Sequence, residues 1–99
     1  MNHYLLIYKL ADNYLERRGE FRNEHLEMAR KAVNDEDLVM GGALSEPADQ
    51  AVLLFKSDSP EIAEKFAKND PYVKHNLVLS WEVRRWMTVV GPDAAHPVT

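Results

Sequence analysis

The chain contains no cysteine among its 99 residues. This absence excludes disulfides, thiolate metal sites and cysteine nucleophiles, and it is typical of a cytoplasmic protein, the location we expect. Long apolar runs are also absent, since the longest, residues 4–8 and 51–55, are far too short to span a bilayer. The amino terminus shows no basic region followed by an apolar one. We therefore expect no secretory signal and no membrane partner.

The chain has no excess of positive charge, with 12 basic residues against 16 acidic ones and a net charge of −4. The basic residues are dispersed, whereas a nucleic-acid-binding domain is expected to carry a basic stripe. Trp81 and Trp86 lie an odd number of positions apart in one predicted strand, so they fall on opposite faces and form no single stacking platform for bases. The sequence predicts no nucleic-acid partner.

Metal and cofactor motifs are missing as well. The four histidines, His3, His25, His75 and His96, show no short ligand spacing such as His-x-x-x-His. No glycine-rich phosphate loop is present, so a nucleotide cofactor is not indicated. We expect neither a metal nor a cofactor.

What is present is the pattern of one globular domain, with 45% hydrophobic and 28% charged residues. The patterning predicts strands over residues 4–8, 38–44 and 50–56 and within 77–90, and helices from about 21 to 34 and from 59 to 70. A short helical turn through Arg18 is predicted to be interrupted at Gly19. Ser59 is predicted to cap the second helix, and Asp70-Pro71 to end it. We assign residues 1–91 to the domain and 92–99 to a polar or frayed tail.

The predicted order is β-α-β-β-α-β, which with right-handed crossovers gives an α+β ferredoxin-like sandwich. Such a fold has a four-stranded antiparallel sheet with both helices on one face. The first three strands are nevertheless apolar on both faces, and the second is predicted to be buried. Because a large exposed apolar face is unlike a soluble monomer, we expect a homodimer that packs sheet against sheet as a dimeric α+β barrel.

Several short motifs occur in a characteristic order: Arg22-x-x-His25-Leu26 on the first helix, Gly42 in the second strand, and Asp70-Pro71-Tyr72 after the second helix. In these motifs and in the closing strand at residues 81–86, the chain resembles the YCII-related (YciI-like) family of small bacterial proteins, over roughly residues 3–91. The resemblance implies a ferredoxin-like dimeric α+β barrel with a His/Asp active site facing a pocket. Most members have no assigned reaction, so the fold transfers better than the function.

His25 and Asp70 are the candidate catalytic residues. His25 shares a helical stripe with Phe21 and Ala29, so we expect it to be partly buried, and imidazoles suit proton transfer at neutral pH. Asp70 would either hold the imidazole in one tautomer or act as the base itself. The alternative is structural: a core histidine satisfied by a hydrogen bond, and an Asp-Pro turn whose carboxylate accepts backbone N–H groups.

Three further residues are candidates for substrate binding. Arg22 lies one helical turn before His25 and is placed to clamp an anion, or else to form a surface ion pair with a carboxylate such as Glu16. Tyr72 is predicted to donate a hydrogen bond from the pocket rim, or simply to pack. Gly42, next to Gly41, indicates a bulge or a close approach of backbone or ligand.

These observations lead to one functional hypothesis and its alternatives. We expect a small-molecule enzyme whose His/Asp acid–base pair catalyses cofactor-independent, isomerase- or lyase-like proton transfer on a carboxylated or aromatic-derived metabolite. The alternative is a non-catalytic dimeric ligand-binding or protein-interaction module in which the pair is structural. A monooxygenase-like activity is a third hypothesis, because dimeric α+β barrels also host cofactor-free oxygenases.

Overall fold

The computed structural model of the protein describes residues 1–98. Its elements are β1 (Asn2–Leu10), α1 (Tyr14–Asn34), β2 (Leu38–Ala43), β3 (Gln50–Ser57), α2 (Glu61–Asn69), α3 (Pro71–Lys74) and β4 (Val78–Trp86). The strands form one sheet in the order β2-β3-β1-β4, and all three neighbouring pairs are antiparallel. This is the predicted ferredoxin-like α+β fold, with the one-turn helix α3 added before β4.

The core lies between the sheet and the helices. Alternation along β1 and β3 points every second side chain toward the helices, as the period of a strand requires. The buried apolar side chains of these two strands and of α2 are Tyr4, Leu6, Tyr8, Leu10, Ala51, Leu53, Phe55, Ala63, Phe66 and Ala67. This packing holds α2 and the start of α3 against the centre of the sheet.

Helix α1 runs without interruption for 21 residues, so the predicted break at Gly19 is wrong. A glycine inside a helix costs only about 1 kcal/mol relative to alanine. Tyr14 is buried on one side of Gly19, and Phe21 packs against the core on the other. These two contacts bracket Gly19 and keep the exposed turn helical.

Helix α2 begins within two residues of its predicted start, but Ser59 does not cap it. Pro60 occupies the N-cap position and no side chain caps the helix there. The carbonyl of Ser59 instead accepts a hydrogen bond of 2.6 Å from the Ser57 hydroxyl. The predicted end at Asp70-Pro71 is confirmed, since Asp70 is extended, with φ −70° and ψ 124°.

Strand β2 lies at the edge of the sheet, and in the single chain only Leu38 of this strand is buried. The prediction of a buried second strand is therefore wrong for the chain by itself. Beside it, the sheet surface that carries no helix, here called the outer face, bears an apolar patch among polar residues. Its half-buried or exposed apolar residues are Leu5, Ile7, Met40, Val52, Leu54 and Trp86.

The chain after β4 turns back over the end of the sheet. The amide of His96 donates to the Thr88 carbonyl at 3.0 Å, and the amide of Val98 donates to the Val89 carbonyl at 2.9 Å. Most of the predicted tail is thus hydrogen-bonded rather than frayed, while Thr99 lies outside the described residues. Nowhere in residues 1–98 is a helix both long and apolar enough to cross a bilayer.

Candidate active site

The site is built around Asp70, at the junction between α2 and α3. Proline at position 71 disfavours a helical conformation in the residue before it, so the chain ends one helix at Asp70 and starts another at Pro71. The Asp70 side chain caps this new helix by accepting the Tyr72 amide at 3.0 Å. The local sequence therefore turns the carboxylate inward, where it is completely buried.

Two side chains from other elements complete the hydrogen bonding of this carboxylate. His25, from α1, places Nδ1 2.8 Å from Oδ1, and Tyr8, from β1, donates its hydroxyl to Oδ2 at 2.7 Å. Together with the Tyr72 amide, three donors surround Asp70, which is what a buried carboxylate requires. The structure thus brings together His25 and Asp70, which are 45 positions apart in the chain.

The geometry determines which nitrogen of His25 is free to react. A carboxylate only accepts hydrogen bonds, so Nδ1 carries the proton and the neutral ring has its lone pair on Nε2. No partner among residues 1–98 binds Nε2, and every buried side-chain nitrogen and oxygen there is hydrogen-bonded, so Nε2 is accessible. The His25 side chain is 15% exposed.

Aromatic contacts hold the imidazole plane in place. The ring of His25 stacks on Tyr72 with centroids 4.0 Å apart and 9° between the planes. Phe66 approaches it edge-on at 6.4 Å, and Tyr14 meets Tyr72 edge-on at 5.7 Å. Packing therefore fixes the orientation of the imidazole in addition to its hydrogen bond with Asp70.

Both tyrosines of the site are held in the protonated form. Burial, reinforced by the Asp70 carboxylate, raises the pKa of Tyr8 well above its usual range. Burial is also the main cause that raises the pKa of Tyr72, and the nearby Arg22 and Arg18 partly oppose it. Each phenol therefore remains a hydrogen-bond donor at neutral pH.

A cavity of about 280 Å³ opens between α1, α3 and the edge of the sheet next to β2. His25, Tyr8 and Tyr72 form part of its wall, whereas Asp70 does not reach it. Asp70 thus contacts His25 and would not contact a molecule bound in the cavity. Of the two roles weighed for Asp70, the geometry favours orienting the imidazole.

The cavity wall also includes arginines that sequence reasoning missed. Besides Arg22, the side chains of Arg18 and Arg30 line it. Both belong to the face of α1 that carries Arg22 and His25, so helical spacing was the signal that could have found them. None of the three guanidinium groups forms an ion pair within residues 1–98, and the alternative pairing of Arg22 with Glu16 is not formed.

The two adjacent glycines serve different purposes. A Cβ atom built on Gly41 lies 3.0 Å from Cγ of Leu53, so this position packs too closely to admit a side chain freely. Gly42 lines the cavity but pairs with Val52, which points to the outer face. A side chain at position 42 would project from the outer face, so Gly42 borders the cavity only through its backbone.

A metal site does not emerge from this arrangement. Within the part of the chain that the structure describes, no three histidine, cysteine, aspartate or glutamate side chains come together as a metal-binding group. The polar groups that face the cavity are phenols, guanidinium groups and one imidazole.

A family model describes nearly the whole of this chain. The model of the YCII-related domain matches residues 1–87, which include the His25 motif, the paired glycines and Asp70-Pro71-Tyr72. The chain belongs to the family of YCII-related domains. A comparison with curated proteins finds no match.

Solved structures similar to this YCII-related domain show the same fold at low sequence identity. One is 5-chloro-2-hydroxyhydroquinone dehydrochlorinase (TftG) from Burkholderia phenoliruptrix AC1100, in complex with 2,5-dihydroxybenzoquinone. It has a TM-score of 0.70 and 21% identity, and the match covers 85% of this chain and 92% of that one. A candidate antibiotic biosynthesis monooxygenase from Deinococcus radiodurans has a TM-score of 0.57 and 9% identity, with 94% and 97% covered. A NIPSNAP family protein from Agrobacterium tumefaciens strain C58 has a TM-score of 0.56 and 13% identity, with 94% and 95% covered.

Proposed function

We propose that this YCII-related domain is a small-molecule enzyme in which His25 transfers a proton and Asp70 positions it. The reaction class is cofactor-independent proton transfer of the isomerase or lyase type. One observation carries the proposal: Nδ1 of His25 is bound to the buried Asp70 at 2.8 Å, while Nε2 is left free on a residue of the cavity wall. This is the arrangement that a general base and its orienting group need.

The proton transfer follows from the tautomer of His25. The lone pair on Nε2 takes a proton from a carbon or oxygen atom of the substrate, which leaves the bonding electron pair on the substrate as an anion. The imidazolium that forms is stabilised by Asp70, whose carboxylate is held in turn by Tyr8. The anion then either takes the proton back at another atom, which is an isomerisation, or expels a leaving group, after which His25 returns its proton to water.

The comparison with TftG supports this reaction class. That protein is named a dehydrochlorinase, an enzyme that removes hydrogen chloride, and its structure holds a ring compound. Loss of hydrogen chloride is an elimination that begins with, or is accompanied by, removal of a proton. We therefore propose that a small ring compound is also the substrate here.

The experiment that tests the proposal measures chloride release from 5-chloro-2-hydroxyhydroquinone and the uptake of solvent deuterium into ring substrates by NMR. We expect His25→Gln to lower the rate at least about 100-fold, since positioned acid–base groups contribute about 10²–10⁴-fold. His75→Gln is the matched control, because His75 stacks on Phe21 and does not line the cavity. Equal rates in wild type and His25→Gln would contradict the proposal.

A second candidate function is a ligand-binding module in which the same residues are structural. The observation in its favour is that Asp70 also caps α3 through the Tyr72 amide and binds the Tyr8 hydroxyl, contacts that stability alone would explain. A module of this kind would bind ring compounds but would exchange no deuterium into them, in wild type as in His25→Gln.

The outer face supports a homodimer that packs sheet against sheet. Leu5, Ile7, Val52 and Leu54 form a continuous apolar centre on this face, which no helix covers. Light scattering after size exclusion is expected to return twice the 11.4 kDa of one chain, and Val52→Glu to halve that mass. A wild-type monomer at micromolar concentration would overturn the dimer. The cytoplasmic location and the absence of a nucleic-acid partner stay predictions.

A further inference from the structure

The charge of the cavity wall differs in sign from that of the chain. The whole chain carries a net charge of −4. The charged side chains that line the cavity are nevertheless Arg18, Arg22 and Arg30, together with the titratable His25, and no acidic side chain of residues 1–98 joins them. A positive wall inside an acidic protein indicates an anionic ligand.

The arginines flank the reactive histidine along α1. With a rise of about 1.5 Å per residue, Arg22 lies about 4.5 Å before His25 along the helix axis and Arg30 about 7.5 Å after it. Arg18 lies one helical turn before Arg22, so both side chains are at the same end of the cavity. The guanidinium group of Arg18 lies 5.8 Å from the centre of the Tyr14 ring, and this contact helps to fix the position of the Arg18 side chain.

These guanidinium groups have no anionic or hydrogen-bonding partner in the part of the chain that the structure describes. Neither an ion pair nor a side-chain hydrogen bond is formed by Arg18, Arg22 or Arg30 within residues 1–98. Their neighbour Arg17 differs, since it donates to the His75 carbonyl at 3.1 Å and lies outside the cavity. Arg18 and Arg22 lie one turn apart on the same face of α1, so their like charges repel each other, and an anion bound between them would relieve the repulsion.

The shape and chemistry of the cavity restrict the anion further. Its volume of about 280 Å³ lies at the lower limit of small-molecule sites, which are typically about 300–1,000 Å³. Three phenol rings, those of Tyr8, Tyr14 and Tyr72, line it beside the imidazole. Flat aromatic walls in a small volume suit one planar ring.

We infer that the cavity binds a single-ring anion, whose adjacent anionic oxygens are held by Arg18 and Arg22 while a ring carbon faces Nε2 of His25. The inference rests on the proposed function for the role of His25 and adds the substrate class and Arg18 as a specificity-determining residue. The planar fork of an arginine matches paired oxygens on a planar group. A ring carboxylate and the conjugated oxygens of a hydroxyquinone both present this chemistry.

The test is a calorimetric titration of the full chain with three ring compounds. The probes are 2,5-dihydroxybenzoquinone and 2,5-dihydroxybenzoate, both anions at neutral pH, and uncharged hydroquinone. We expect the anions to bind at least about tenfold more tightly than hydroquinone, and Arg18→Gln and Arg22→Gln each to weaken anion binding about tenfold, as loss of a charge-assisted hydrogen bond does. The control, Arg17→Gln, is expected to leave anion affinity within about twofold, because Arg17 does not line the cavity.

The measured affinities identify the group that the cavity recognises or overturn the inference. Tighter binding of the quinone than of the benzoate identifies conjugated ring oxygens as the recognised group, and the reverse order identifies a carboxylate. Equal affinity for charged and uncharged probes, no anion binding at millimolar concentration, or Arg18→Gln equal to wild type would overturn the inference. Failure of the proposed function is distinguishable: anions would still bind through the arginines, but deuterium exchange would be absent from both wild type and His25→Gln.

Discussion

Two histidines of this protein bind an oxygen atom through Nδ1, yet the chemistry of the two partners differs. His25 is bound to Asp70 at 2.8 Å, and His3 to the Thr88 hydroxyl at 2.6 Å. The Asp70 carboxylate only accepts, so it selects one tautomer of His25 and stabilises the imidazolium. The hydroxyl of Thr88 can donate or accept, so it accommodates either tautomer of His3.

The surroundings of the two histidines reinforce this difference. Asp70 is completely buried and holds residues of β1, α1 and α3 together, and His25 faces a cavity. Thr88 also accepts the Ala95 amide at 2.8 Å, so the His3 cluster fastens the chain after β4 to the sheet. His3 is the more buried of the two histidines, so burial alone does not distinguish them, and the difference lies in the partner of Nδ1, which is a buried carboxylate for His25 and a hydroxyl for His3.

Removal of the Asp70 carboxylate is expected to have the largest effect. Asp70→Ala leaves the Tyr8 hydroxyl, His25 Nδ1 and the Tyr72 amide without an acceptor, which should lower the free energy of unfolding by about 4 kcal/mol. Urea denaturation followed by circular dichroism measures the loss. Asp70→Asn keeps the shape and should lose less, whereas a loss below about 1 kcal/mol in Asp70→Ala would show that the cluster contributes little to stability.

An intermediate effect is expected from Tyr8→Phe, which removes one donor to the same carboxylate. A hydrogen bond to a charged group contributes about 2 kcal/mol, so the variant should unfold at lower urea concentration at pH 7. The matched control is Tyr4→Phe, which removes the hydroxyl of another buried tyrosine of β1 that is not a donor to Asp70.

The same variant should alter how stability depends on alkaline pH. Because burial raises the pKa of Tyr8 in the folded protein, its stabilisation is complete below the ordinary tyrosine pKa and is lost as the pH rises beyond it. Unfolded Tyr8 releases its proton above about pH 10, so wild type should lose about 1.4 kcal/mol per further pH unit from this group. Tyr8→Phe should show a shallower decline between pH 10 and 12 in urea titrations, and an identical slope would refute this account.

The smallest effect is expected at the second histidine cluster. Thr88→Val keeps the volume but removes the bonds to His3 and the Ala95 amide, at a cost of about 1 kcal/mol. Hydrogen exchange should accelerate at the amides of His96 and Val98, while those of β1 stay protected. Val90→Ala, at an exposed position, serves as the control, and unchanged exchange in Thr88→Val would show that backbone bonds alone hold this segment.

Much of the fold could be predicted from local signals. Short apolar runs rich in strand-forming residues indicate β1 and β3, and the Asp70-Pro71 step ends α2 where expected, because the steric effect of proline on the preceding residue is local. The break predicted at Gly19 fails because tertiary packing of the flanking aromatics outweighs a small local penalty. The burial of β2 could not be judged, since only strand order places it at the edge of the sheet.

The residues of the candidate site likewise fall into those that the sequence could identify and those that it could not. Family motifs identified His25 and Asp70, and helical spacing alone would have added Arg18 to the face that carries Arg22. The role of Tyr8 was not predictable, because its hydroxyl reaches Asp70 across 62 positions and only after β1 takes its place in the sheet. The difference between Gly41 and Gly42 likewise depends on the register with β3.

The sequence by itself determined the order of the elements, the turn that presents Asp70, and the residue types available for proton transfer and anion binding. These depend on neighbours within a few positions, where backbone preferences act. Tertiary structure alone decided that Asp70 is enclosed by three donors, that Nε2 of His25 has no partner within residues 1–98, and that the arginines of α1 line a cavity. Such properties arise from contacts between distant segments, whose geometry is set by the packing of α1 and α3 on the sheet.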